Sequence, residues 1–266
     1  MSDTIIHPSA LVERGAKLGT GVHISAFCIV KGGAELHDGV ILHEHAHIAS
    51  SVSLGKGCEV FPQAVLGMPP QDVKYKGEAT RLVIGARNII REHVTMHPGT
   101  AVGNGVTTIG DDGYFMIGSH VGHDCVVGNH VTFSNSAAIG GYVQVGDYVN
   151  LGGLVGVHQF VRIGHHAFVG AQAYLANDVI PYGMVAGNPA RLNGLNVVGM
   201  QRTAMSRSAI GQARAAYKAI FCHTDGLFDD RLKRAQKLYK GDTPAMDIID
   251  FINERSLRSL CMPDER

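Results

Sequence analysis

The chain has 266 residues, with 23 Lys/Arg against 23 Asp/Glu and a formal net charge of +0. That balance argues against general nucleic-acid binding. No apolar run reaches the roughly 18 residues needed for a stable membrane insertion, and the N-terminus MSDTIIHPSA lacks a secretory signal pattern. The five cysteines (Cys28, Cys58, Cys125, Cys222 and Cys261) are scattered and without CxxC spacing, which supports neither a disulfide framework nor a cysteine zinc site. A cytoplasmic, reducing setting is expected.

From Ile6 the chain repeats. Every sixth residue is apolar through Val12, Leu18, Ile24, Val30, Leu36, Leu42, Ile48, Leu54, Val60 and Leu66. The series resumes at Ile84, Ile90, Met96 and Val102, slips by one, and runs from Ile109 to Leu175. A period of six fits neither a long helix nor a long strand, but it fits a short strand plus a turn, repeated. Three such units make a triangular coil, and coils must stack to bury their apolar side. Stacked coils sit about 4.8 Å apart and their strands are parallel. A glycine often follows the apolar residue, as in Leu18-Gly19 and Leu54-Gly55, and is expected to supply the positive φ of a corner.

Two stretches interrupt the period. GMPPQDVKYKGEATRLV at 67–83 is polar and proline-bearing, and GNGVTT at 103–108 precedes the slip. Both are expected as loops leaving the prism, where insertions in repeat proteins often build a binding face.

The repeat stops near Asn196. Three amphipathic helices are expected beyond it: SRSAIGQARAAYKAIF with Ser206 as N-cap, LFDDRLKRAQKLY, and TPAMDIIDFINERSLRSL. The domain boundaries are therefore 1–196 for a β solenoid and 197–266 for a small helical domain. Residues 200–266 hold twelve Lys/Arg and nine Asp/Glu, leaving the prism at −3. Arg231, Lys233, Arg234, Lys237 and Lys240 cluster there, either as a solvated face or as a dock for an acidic partner.

Of fifteen histidines, His43, His45 and His47 alternate on one face, and with His165 and His166 they are expected as surface residues. The stretch 117–160 differs. One coil beyond His123 is Gly141, and a second coil beyond is Gln159, so these three form a column. A histidine beside a bare glycine N–H is a general base next to an oxyanion donor, the pairing that acyl transfer needs. His120 and His158 lie close by. Three histidines (His120, His123 and His158) also leave open a zinc site of the kind found in trimeric β-helix carbonic anhydrases, and ordinary polar surface residues remain a third reading.

The loop PQDVKYKGE at 70–78, IGSHVGHDCVVGN at 117–129, GVHQF at 156–160 and GNPAR at 187–191 resemble the UDP-N-acetylglucosamine O-acyltransferase family of lipid A biosynthesis, over the whole chain. The resemblance implies a left-handed parallel β-helix with a small C-terminal α-helical domain, assembled as a homotrimer with active sites between subunits. It implies transfer of an (R)-3-hydroxyacyl chain from acyl carrier protein to the 3-position of a UDP-sugar, without cofactor or metal. Carried over by motif, His123 is the general base, Gly141 the oxyanion donor, and His120, His158 and Gln159 active-site residues. Gln71, Asp72 and Lys74 belong to the loop that helps bind the nucleotide sugar, and Asn196 and Arg202 contact the nucleotide. Asp124 would orient His123, although in an extended strand the two side chains would point oppositely. Ala171 stands where a glycine accompanies long acyl chains, which implies a modestly shorter chain. The acidic carrier protein makes the five basic residues at 231–240 candidates for docking.

Three positions depart from the pattern: Tyr142 for a histidine, Val198 for a glutamate and Thr203 for an arginine. They raise the 3-amino-3-deoxy sugar as an alternative acceptor. The later N-acyltransferase of the same pathway shares fold and donor, but usually carries an N-terminal uridine-binding domain for which the repeat starting at Ile6 leaves no room. A non-enzymatic β-helix scaffold would need neither the irregular loops nor HxxHDC.

Overall fold

The computed structural model describes residues 3–223 and 225–264. Residues 5–186 wind into a parallel β solenoid whose two- to four-residue strands stack into three sheets of ten, nine and eight strands, the first extended to eleven by Arg191–Leu195. The first face begins with Ile5–Ile6, the second with Leu11–Val12 and the third with Lys17–Leu18. Residues on neighbouring coils pair 18 apart, as in Ile24 opposite Leu42.

The hexad residues fill the interior. Ile24, Val30, Leu42, Ile48, Leu54, Val60 and Leu66 are fully buried. A second inward row lies two residues earlier, at Val22, Cys28, Ala34, Val40, Ala46 and Cys58, also fully buried. The period alone did not reveal this row, because its side chains are small and mixed. It explains three cysteines. Cys28, Cys58 and Cys125 act as small core residues, their thiols donating to the carbonyls of His43, Gly85 and Gly140 at 2.9, 3.0 and 3.1 Å. Burial pushes the Cys125 thiol up to about 12.

The corners correct the expectation for glycine. At regular corners the glycine directly after the hexad residue, such as Gly19, Gly55 or Gly85, has ordinary φ, and the left-handed residue comes two positions later; Gly67, where the first loop leaves the prism, is left-handed with φ 84°. The left-handed corner residue is sometimes glycine, as at Gly21 and Gly57, and more often not, as at Arg87, Asp112, His130, Tyr148 and His166. The first glycine is needed for close approach instead. A Cβ on Gly85 would lie 2.6 Å from the Gly110 carbonyl oxygen, and one on Gly146 2.5 Å from the His165 nitrogen.

The loops are also redrawn. Leu66 pairs with Met96, 30 residues on instead of 18, so the first loop, 67–80, adds twelve residues. Met96 pairs with Val121, 25 residues on, so the second loop adds seven. Seven is one hexad plus one, which is the slip seen in the sequence. This loop spans 97–105, not 103–108; Val106–Ile109 is a strand, and Val102 leaves the ladder at 72% exposure.

At the start of the stack the inward residue Ile6 is still 43% exposed. At its other end Gly183–Ala186 pairs antiparallel with Arg191–Leu195. Helix α1 (Val197–Arg202) follows, which the sequence did not reveal, then α2 (Arg207–Tyr217) running into a π-helical turn at Lys218–Cys222, α3 (Phe228–Leu238) and α4 (Thr243–Asn253). Ser206 caps α2 by accepting from the Ala209 N–H. The third expected helix is shorter than its amphipathic pattern. Glu254 turns extended and its carboxylate accepts from Arg162 Nη1 at 2.8 Å. Beyond it the tail pairs with the prism through Asp178 and Leu260. No described helix is long and apolar enough to cross a membrane.

Candidate active site

The His120–Val121 strand of the second face ends in a corner that holds Gly122, His123 and Asp124, all buried. Asp124 is in the left-handed region, with φ 58°. The objection that neighbouring side chains diverge holds for a strand, not for this corner. His123 Nδ1 lies 2.8 Å from Asp124 Oδ2, and the two residues are 6% and 2% exposed. The carboxylate also accepts from Thr100 Oγ1 at 2.7 Å, from the Thr100 N–H at 3.0 Å and from the Asn104 N–H at 2.9 Å. Both partners come from the 97–105 loop. Gly103 is required there, since its Cβ would lie 2.3 Å from Asp124 Oδ1. With Nδ1–H donated to a carboxylate, the free nitrogen of His123 is Nε2.

Nε2 lies against the next coil. A Cβ on Gly141 would sit 2.6 Å from both His123 Nε2 and Cε1. Gly141 is buried, and among the described residues its N–H donates to no protein acceptor. At another corner the equivalent N–H groups are taken: Asp111 N–H donates to Asn129 Oδ1 at 2.8 Å, and Asn129 N–H to Asp147 Oδ1 at 2.6 Å. The column His123, Gly141, Gln159 lacks this side-chain ladder. Its donor therefore stays open, which is what a developing oxyanion requires.

A cleft of about 650 Å³ runs over this corner, lined among others by Gln71, His97, His120, His123, Gly141, His158, Gln159 and Tyr174. His97 escaped the sequence reading, because the seven added residues hide its place one coil before Gly122. Its ring meets His120 edge-on at 4.8 Å. Burial, then the neighbouring histidine charges, push His97 down to about 4, and burial lowers His120 as well. Thr95 Oγ1 lies 2.7 Å from His120 Nδ1. Tyr142 stands edge-on to His123 at 5.1 Å, stacks on Phe160 at 4.6 Å, and its hydroxyl lies 3.3 Å from Thr100 Oγ1. Arg258, also missed, reaches His158 and Gln159 from the C-terminal tail.

Not every carried-over residue gathers here. Asp72 accepts from the Lys74 N–H at 3.0 Å on the loop that also holds Gln71, and Lys74 is exposed. Asn196 and Arg202 lie on the first face instead, beside a second cleft of about 380 Å³ that includes Tyr148, His166 and Val198. Asn196 caps α1, accepting from the Gly199 N–H at 3.0 Å and donating to the His166 carbonyl at 2.9 Å. Arg202 is exposed, and Ala171 is exposed at a corner and lines neither cleft. Among the described residues no group of three or more His, Cys, Asp or Glu side chains converges as a metal site within the chain, and His158 Nδ1 faces the Arg258 cation. Two of the five clustered cations are occupied internally. Arg231 donates to the carbonyls of Ile220 and Gly226, and Arg234 pairs with Asp225 at 2.8 Å. Lys233, Lys237 and Lys240 make no ion pair among the described residues.

A left-handed parallel β-helix with a His–Asp pair facing an open backbone N–H is an acyltransferase of the hexapeptide-repeat class. A family model described as UDP-N-acetylglucosamine O-acyltransferase, domain 2, matches residues 178–261. An acyl-[acyl-carrier-protein]–UDP-N-acetylglucosamine O-acyltransferase of Caulobacter vibrioides is 48% identical over 259 residues, covering 97% of this chain and 98% of that one. A crystal structure of a UDP-N-acetylglucosamine acyltransferase superposes with a TM-score of 0.93 at 37% identity, covering 98% of this chain and 99% of that one. The Campylobacter jejuni enzyme of that name gives 0.91 at 33%, covering 97% and 100%. The chain belongs to the acyl-[acyl-carrier-protein]–UDP-N-acetylglucosamine O-acyltransferase family.

Proposed function

We propose that the chain transfers an (R)-3-hydroxyacyl group from acyl carrier protein to the 3-hydroxyl of UDP-N-acetylglucosamine, the first step of lipid A synthesis. The observation that carries this reading is His123 Nε2 packed against Gly141, whose N–H has no protein acceptor among the described residues, with Asp124 bonded behind the ring. His123 Nε2 takes the proton of the sugar hydroxyl as its oxygen attacks the thioester carbonyl. The Gly141 N–H donates to the oxyanion, and Asp124 stabilises the imidazolium. Collapse of the tetrahedral intermediate breaks the C–S bond and expels the carrier thiolate. The imidazolium returns its proton to that sulfur. His97 and His120, held neutral by burial, offer ring nitrogens to the acceptor's other polar groups.

A homotrimer fits the separation of the carried-over residues. Asn196 and Arg202 on the first face would join Gln71 and His123 in one site if the first face of one copy met the second face of another. Lys233, Lys237 and Lys240 are the cations left to meet an acidic carrier in the cytoplasm, with contacts that weaken as salt rises. The relatives are named O-acyltransferases, which does not favour the amino-sugar acceptor. Ala171 is the residue to vary against a chain-length series.

The deciding experiment is His123→Ala, assayed with acyl carrier protein thioester and UDP-N-acetylglucosamine. A loss of about 10²–10⁴-fold in kcat with an unchanged melting temperature is expected. Full retained activity would remove the general base from the mechanism.

A further inference from the structure

Arg258 is separated from the catalytic corner by about a hundred residues of sequence, yet its guanidinium touches the cleft at two points. Nε donates to the Gln159 carbonyl at 2.9 Å, and Nη2 meets His158 Nδ1. A guanidinium can only donate. Nδ1 of His158 is therefore the acceptor and carries no hydrogen in this contact, so the hydrogen of the neutral ring sits on Nε2. Without Arg258 the ring has a competing choice, because the Gln159 carbonyl lies 3.4 Å from the same Nδ1 and would favour a hydrogen there.

The tail that delivers Arg258 is anchored on the prism at Asp178, and again where the Leu192 N–H donates to the Met262 carbonyl at 3.0 Å. Asp178 is fully buried; its N–H donates to the Ser259 carbonyl at 2.8 Å and its carbonyl accepts from the Cys261 N–H at 2.7 Å. Its carboxylate accepts from the Arg162 N–H and Nε, both at 2.8 Å. The remaining nitrogens of Arg162 hold the end of α4, through Glu254 and the Phe251 carbonyl at 2.8 and 3.0 Å. The end of the helical unit and the residue that reaches His158 are thus fixed to the same point of the last coil.

We propose that Arg258 is a positioning residue that sets His158 as the Nε2–H tautomer and pins the Gln159 backbone. The C-terminal tail thereby completes the cleft instead of only covering the solenoid. This rests on the acyl-transfer reading above for its kinetic consequence, but not for its spectroscopic one. Nε2–H of His158 is then a fixed donor into the cleft beside Gly141 and Gln159, suited to an anionic or carbonyl oxygen of a substrate.

The test is a double-mutant cycle on the full-length enzyme with Arg258→Ala, His158→Ala and the pair, joined by ¹⁵N-histidine spectra of the substrate-free protein. Arg258→Ala is expected to lower kcat/KM for the sugar nucleotide about tenfold, while the melting temperature stays near that of the wild type. In the His158→Ala background the same change is expected to cost less than about threefold, because contacting residues are non-additive. Arg258→Lys, which can donate to Nδ1 but lacks the planar fork, should recover part of the loss. The His158 ¹⁵N signals should show an unprotonated Nδ1 in the wild type and a tautomer mixture in Arg258→Ala. Full additivity, an unchanged kcat/KM, or an Nδ1–H tautomer in the wild type would each overturn the proposal. If His123→Ala in the same assay retains activity, the acyl-transfer mechanism fails, while the spectra still decide the role of Arg258.

Discussion

The loops 67–80 and 97–105 interrupt the same solenoid one coil apart and use their backbones in opposite ways. The shorter loop is buried at His97 and Thr100, and turns the N–H groups of Thr100 and Asn104 onto the Asp124 carboxylate. The longer one closes on itself. Asp72 accepts from the Lys74 N–H, Glu78 accepts from the Lys76 N–H and from the Tyr75 hydroxyl, and Val73 is fully exposed. An insertion whose polar groups are consumed by a buried carboxylate preorganises the base before substrate arrives. A stretch such as 72–78, whose polar groups pair with one another, can move as a unit and meet a ligand. The sequence shows both as departures from a period of six and does not distinguish them.

Substitutions can break this contrast. Asp124→Asn should have the largest effect, lowering kcat about 10²-fold, because the neutral amide cannot stabilise the His123 imidazolium and its NH2 would face the loop N–H donors that the carboxylate accepts; kcat near wild type would mean that the short loop does not support catalysis. Next comes pH. His97 is held near 4 by burial, whereas an unfolded histidine titrates near 6.5. Between those values the unfolded chain binds the extra proton, so stability falls as pH drops from about 6.5 to 4, by up to about 3 kcal/mol. Urea melts of wild type and His97→Asn across that window should differ in slope, the variant being flatter. Thr100→Val removes one hydroxyl donor to a charged group, about 1.5–3 kcal/mol, and should lower kcat roughly tenfold with KM unchanged. The smallest effect belongs to the long loop: Gln71→Ala should raise KM for the sugar nucleotide several-fold, about 1 kcal/mol, and leave kcat and melting temperature alone. A kcat loss there equal to that of Thr100→Val would make the two loops equivalent.

The solenoid was legible because its period is dense and its buried residues are large. The column of His123, Gly141 and Gln159 was legible because no insertion falls inside it. His97 was hidden by the seven added residues that separate it from Gly122, and Arg258 by a hundred residues of chain. The Asp124–His123 bond was misjudged because alternation describes strands, and the pair sits on a left-handed corner. Helix α4 stops at Asn253, and the contact made at that end, Glu254 to Arg162, comes from a distant part of the chain that the helical pattern does not show. The cap that Asn196 makes was not legible, because helix α1 itself was not.

The left-handed corners have one more consequence, for how this molecule could change. Phe27 and Leu154 hold φ 58° and 60° while 57% and 61% exposed, and each such residue costs about 1–2 kcal/mol that asparagine or glycine largely avoids. In a solenoid these increments sum along the axis. Thermal robustness is therefore available in small steps, and Phe27, on the second coil and stacked on His45, is the place to begin, since it lines no part of the His123 cleft.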